Sequence, residues 1–170
     1  MIKRGLPMIA LGLAACQRPA SGAFRETQQI MEGFTLKQSY KGEMDWDLKA
    51  QKAILKEEAH QAALGEPRID VYKNGKIATQ LAARQGQIKT DTHDMHLSSS
   101  VVVHSLEDNS TLKTEELDYS ASRKKFFTDK EVLVTHPDGV VRGRGMEANS
   151  DLSEIRIFEQ TGSVEKKKKG

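Results

Sequence analysis

Apolar and polar side chains alternate along most of this chain, in short runs separated by turn-forming pairs. The clearest run is 95–134. Met95, Leu97, Val101 and Val103 share one parity. His96, Ser98, Ser100 and His104 share the other, with Val102 the one apolar exception. A period of two places successive side chains on opposite faces of a strand. Phe126, Val132 and Val134 then repeat the spacing. Upstream, Phe34 and Leu36 alternate, as do Trp46, Leu48 and Ala50, and Lys41-Gly42 between them predicts a first hairpin. Ile69 and Val71 lead into Asn74-Gly75, the strongest short hairpin signal. Asp138-Gly139 predicts a turn between Val134 and Val140, and Asp108-Asn109 a third.

The runs are periodic. Ile69 to Val101 spans 32 residues, Val101 to Val132 spans 31, and Val132 to Ile155 spans 23, so the last unit is short, as a cap would be. Such a period marks units that bury their apolar face only by stacking on their neighbours. Residues 46–64 are rich in Ala, Leu, Glu, Lys and Gln, and Ala50, Ala53, Ile54 and Glu57 fall at helical spacing. There is no clear capping box, and the stripe is mostly alanine; the repeat tips this stretch toward strands. The expected fold is all-β and antiparallel, built from repeated strand–turn–strand units. By parity the inward residues are Ile69, Val71, Met95, Leu97, Val101, Val103, Phe126, Val132, Val134, Ile155 and Ile157. Groove lining and closed core use the same residue types, so the pattern leaves both open.

The N-terminus reads as an address. Lys3 and Arg4 precede a short apolar stretch that ends in Leu13-Ala14-Ala15-Cys16. That stretch is shorter than the about 20 apolar residues needed to span a bilayer. Leu-Ala-Ala-Cys resembles a bacterial lipobox, in which cleavage leaves Cys16 as the acylated N-terminus. This predicts a signal peptide over 1–15, a lipid-anchored polar tether over 16–33, a β domain over 34–164 and a basic tail over 165–170. Cys16 is the single cysteine of the 170 residues, and acylation removes the liability of a free thiol in an oxidising compartment.

Charge adds little. The chain has 26 Lys+Arg and 24 Asp+Glu; without Lys3 and Arg4 the two are equal, and Lys166 to Lys169 sit in the tail. The basic excess belongs to the ends, so no nucleic-acid partner is inferred. Aromatics are 5% of the chain, which argues against a thick aromatic core. No catalytic constellation emerges. His93-x-x-His96 has a spacing that puts the two rings on opposite faces of a strand, and His96 and His104 are read as outward and solvated. Ser98-Ser99-Ser100 lacks a nucleophile-elbow context. Arg142-Gly143-Arg144-Gly145 lacks the spacing of a phosphate loop. No cofactor and no metal site are expected, and the chain is not read as an enzyme.

Three segments in order, WDLKAQKA at 46–53, LKTEELDYSASRKKFFTDKEVLV at 112–134 and GVVRGRGMEANSDLSEIRI at 139–157, resemble the LptC family and, more widely, the LptA and LptD N-terminal jellyrolls. The resemblance covers about residues 34–160 and rests on the order of the motifs. It implies an open, V-shaped antiparallel β-jellyroll whose inward residues line an apolar groove for lipopolysaccharide acyl chains. It also implies relay of that cargo from an inner-membrane Lpt ABC transporter to an LptA-like bridge protein by edge-strand pairing. The expected edges are 34–40 and 155–164. This chain departs from the pattern twice. A lipobox stands where the family has a transmembrane helix, so the expected location is the periplasm, membrane-anchored through Cys16. The resemblance points to the inner membrane; Gln17, in place of an Asp retention signal, leaves the outer membrane open. And Ser98-Ser99-Ser100 and Lys130-Glu131 stand where relatives carry glycine before a Val-x-Val strand. The competing expectation is a membrane-anchored β-sandwich with a structural or adhesive role and no lipid cargo.

Overall fold

The computed structural model describes residues 28–161. The expected signal peptide, Cys16, most of the tether and the basic tail lie outside the described residues. Within them the chain forms eleven strands: β1 (Gln28–Tyr40), β2 (Glu43–Lys56), β3 (Gln61–Gly65), β4 (Arg68–Lys73), β5 (Lys76–Ala82), β6 (Gln85–Lys89), β7 (Met95–Ser105), β8 (Thr111–Ser120), β9 (Lys125–His136), β10 (Gly139–Asn149) and β11 (Ile155–Gln160). All belong to one antiparallel sheet, consistent with a β-jellyroll. Residues 50–64 form strands and a turn, not a helix: β2 runs to Lys56, 57–60 turn, and β3 follows. Ala53 and Ala62 are wholly buried. Their small side chains are the packing surface of a strand there, which helix propensity does not register.

The sheet is an up-and-down meander. β3 and β4 lie end to end against β2, and β5 and β6 lie end to end against β4 and β3. β7 then pairs with both β5 and β6. The turns do what their residues demand. Lys41 and Gly42 have φ of 51° and 85°, and Asn74 and Gly75 have 53° and 73°, the doubly positive form whose twist suits two-residue hairpins. The turn expected at Asp138-Gly139 sits one residue earlier. Gly139 already pairs with His136, so Pro137 and Asp138 turn the chain. Residues 28–33, expected as tether, are the first half of β1.

The strands are interrupted along one line that crosses the sheet. Glu66-Pro67 separates β3 from β4, and Ala83-Arg84 separates β5 from β6. β7 bulges between Ser98 and Val101, β8 between Thr114 and Asp118, and β10 between Arg144 and Met146. Backbone bonds stitch the line: Glu66 N to Arg84 O at 2.9 Å, Ala83 N to Pro67 O at 3.1 Å and Arg84 N to Ser99 O at 3.1 Å. Bulges bend a strand and raise its local twist; aligned, they crease the whole sheet.

Beyond the crease the sheet doubles back on itself. The Lys124 ammonium, at the β8–β9 turn, lies 4.2 Å from the ring centre of Tyr40 at the end of β1. Trp46 of β2 meets His93, in the β6–β7 turn, edge-on at 6.4 Å. Thr79 of β5 bonds the carbonyl of Asp151, between β10 and β11. None of these pairs are neighbours in the meander. The two halves of each strand therefore contribute to two facing layers, with one apolar cluster between them. The edges β1 and β11 pair only with β2 and β10 among the described residues, so the sheet does not close into a barrel.

Candidate functional site

The apolar interior between the layers is the candidate site. Of the residues assigned inward by parity, Ile69, Val71, Met95, Leu97, Val101, Val103, Phe126, Val132 and Val134 are each 4% exposed or less and belong to the same cluster. Ile155 and Ile157 do not. Ile155 is 36% exposed, and Ile157 is only partly buried, packed against the cluster's margin. Both sit on edge strand β11, with no further strand beside it among the described residues to cover them.

Parity also missed residues. In β8, Leu112 and Thr114 point inward, and after the bulge so do Leu117 and Tyr119. An odd-residue bulge switches the inward parity, so no single alternation carries both ends. Trp46, Leu48, Leu64, Leu81, Ile88 and Met146 also belong to the interior, as do four alanines and Leu152; Trp46 and Leu48 carried a visible alternation signal. Buried hydroxyl groups are also there, those of Thr114 and Thr128 among them. Thr114 donates to the carbonyl of Glu131 at 2.9 Å, and Thr128 accepts from the Lys130 amide at 3.1 Å, so neither strands a polar group in an apolar space.

At one end of the interior Tyr119 packs against Phe126, ring centres 4.7 Å apart. Burial, with the nearby Asp45 and Asp94 carboxylates, pushes the Tyr119 hydroxyl up to about 12. Gly86, buried opposite, gives Leu97 and Pro67 their room: a Cβ there would stand 3.1 Å from each. At the other end Gly143 lets β11 lie close against β10, because a Cβ would collide with Ile157 and the Glu159 backbone. Gly145 has φ of +75° at the β10 bulge. The Gly-x-Gly pair is thus a device of sheet geometry.

The outer face is polar, but its histidines are not simply solvated, as the alternation had suggested. His96 Nδ1 is 2.8 Å from Asp118 Oδ1 across β7 and β8, and His104 Nδ1 is 3.2 Å from Thr111 Oγ1. Both rings are half-buried. His93 packs on Trp46 instead, so the two ends of His93-x-x-His96 serve different partners. Lys49 lies 3.4 Å from the Asp47 carboxylate.

The comparison with known families decides what this architecture belongs to. The model described as "Lipopolysaccharide-assembly, LptC-related" matches residues 13–165. The chain belongs to the LptC family. No curated protein matches it. The LptC family is periplasmic and envelope-associated, is non-enzymatic, and takes part in lipopolysaccharide transport with transporter and bridge components. Within this LptC-family jellyroll one departure from the pattern now has a physical account. Ser99 and Ser100 both adopt φ of 64°, the left-handed region that glycine enters without steric cost. The serines hold the β7 bulge in a conformation a glycine would take more easily.

Proposed function

We propose that this protein shelters lipopolysaccharide acyl chains between its two layers and relays the lipid from an inner-membrane ABC transporter to an LptA-like bridge. An acylated Cys16 holds it at the inner membrane. The observation that carries this reading is the pairing of one apolar interior with two sheet edges that are unpaired among the described residues, in a member of the LptC family. Each methylene moved from water into that interior contributes about 0.8 kcal/mol, so several partly sheltered chains outweigh most polar contacts at the rim. Unpaired edges are ordinarily a hazard. Here β1 and β11 offer main-chain donors and acceptors for strand addition, which would run one jellyroll's interior on into the next.

Near-complete burial of the interior favours a second reading, a β-sandwich lipoprotein without cargo. Photo-crosslinking in cells separates the two. A photoreactive residue at Val101 or Val132 is expected to capture lipopolysaccharide, while one at the exposed, outward Lys113 captures none. An intact fold with no adduct at either inward position sinks the transport reading. On depletion of the protein, lipopolysaccharide is expected to accumulate in the inner membrane.

A further inference from the structure

One buried side chain is carried on a backbone conformation uncommon for its residue type. Leu152 lies in the β10–β11 loop with φ of 58°, in the region that costs ordinary L-residues roughly 1–2 kcal/mol. The other described non-glycine residues with positive φ are exposed or half-exposed, most of them in turns. Leu152 is 4% exposed and part of the interior cluster. An outlier of this kind persists only when its surroundings over-determine it, and here they do.

The loop closes on itself around Asn149. Leu152 N donates to Asn149 O at 3.0 Å, Asn149 Nδ2 to Ser153 Oγ at 2.9 Å and Glu154 N to Asn149 Oδ1 at 3.1 Å. Asp151 Oδ1 accepts from Ser153 N and Oγ. The loop then reaches across to the facing layer. Thr79, inward on β5 and 2% exposed, donates to Asp151 O at 3.1 Å. Lys73, at the end of β4, stands 3.7 Å from the Asp151 carboxylate and 3.1 Å from that of Glu107. Outside Leu152 lies a cleft of about 320 Å³ with an apolar wall of Val134, Val141, Leu152, Ile155 and Ile157 and a polar wall that includes Asp108, His136 and Gln160. Val134 and Leu152 belong to both cleft and core. Leu152 and Val134 therefore stand between them, and of the two only Leu152 has a positive φ.

The geometry points to Leu152 as the gate of the interior, with 149–154 as a latch that ties the two layers together and the cleft as the mouth through which an acyl chain enters. The idea deepens the transport reading and rests on it for the identity of the cargo. It also explains how an interior so fully covered is reached. Withdrawing Leu152 relieves its backbone conformation, breaks the Thr79 and Lys73 contacts, and joins the cleft to the core. The exposed Ile155 and partly buried Ile157 then line the approach.

The test uses the full chain, wild type, Leu152→Gly and Lys73→Ala. Glycine accepts the positive φ, and Lys73→Ala loosens the latch without touching the core. Entry of the apolar dye 1-anilinonaphthalene-8-sulfonate is followed by stopped flow, with circular dichroism as the control for fold. Uptake is expected to be on the order of tenfold faster in Leu152→Gly, and faster by a smaller factor in Lys73→Ala. Equal rates in the folded proteins overturn the gate, and Lys73→Ala decides the matter should Leu152→Gly not fold. The same proteins with a photoreactive residue at Val101 are then exposed to lipopolysaccharide micelles. Faster dye entry without lipopolysaccharide capture keeps the gate and overturns the cargo. Capture at Val101 at equal dye rates keeps the cargo and overturns the gate.

Discussion

The middle of the sheet and its C-terminal end were written in the same alternating pattern and came out differently. In β7 and β9 every residue assigned inward is buried. In β11 Ile155 is exposed and Ile157 half-covered. The strands are equally apolar; what differs is what lies over them. β7 has a strand on each side and the folded-over layer above it, whereas β11 has β10 on one side and, among the described residues, nothing on the other. Alternation sets which face is apolar. Burial needs a second surface to meet it. In a protein whose proposed work is to pass lipid across an edge, the uncovered end is the useful one.

The largest test of that difference is a buried charge. Val103→Asp places a carboxylate at a position 3% exposed, within the apolar cluster. It is expected to cost several kcal/mol or abolish the cooperative transition. Ile155→Asp, on β11, is expected to shift stability by no more than about 0.5 kcal/mol. Urea melts of both measure this, and equal losses would falsify the contrast between centre and end.

A smaller effect is expected at the seam between β10 and β11. Gly143→Ala drives a methyl group into Ile157 and the Glu159 backbone, and overpacking of this kind typically costs about 1–3 kcal/mol. The loss should be local. Amide exchange is expected to quicken through Ile155–Gln160 while β7 to β9 keep their protection; uniform loss of protection would place β11 inside the cooperative core instead.

The smallest effect appears only in alkali. The Tyr119 hydroxyl is raised from 10.0 to about 12, so its neutral form is favoured in the folded state. Its contribution is complete below pH 10 and declines as pH climbs from 10 toward 12. Tyr119→Phe is expected to lack this decline while matching the wild type at pH 7. Tyrosinate absorbance should show a late-titrating group that the variant lacks; a Tyr119 that ionises near 10.0 ends the argument.

Much of the fold was legible because it is local. Asn74-Gly75 and Lys41-Gly42 announce hairpins by backbone chemistry alone, and a chain of hairpins is a meander. The alternation through Met95, Leu97, Val101 and Val103 survived the β7 bulge because its two serines preserve parity. In β8 the bulge switches parity between Thr114 and Leu117, so Leu117 and Tyr119 could not be reached by counting. Residues 50–64 were pulled toward helix by alanine, lysine and glutamate; what holds them as strand is pairing of β2 with β1 and β3, and of β3 with β6, which their own composition does not display. The outward histidines were placed on the correct face, but their partners Asp118 and Thr111 lie on the next strand.

By itself, then, the sequence determined that this is an antiparallel all-β chain of repeated units, which faces of its central strands are apolar, and, through the order of its motifs, that it belongs with LptC. Only the tertiary structure decided where the sheet creases, that its two halves face each other, which apolar residues stay at an open edge, and that Leu152 stands between cleft and core. The reason is range. A side chain's parity and a turn's φ are set by neighbours a few residues away. The meeting of Tyr40 with Lys124, or of Thr79 with Asp151, depends on a fold line shared by strands across the whole chain.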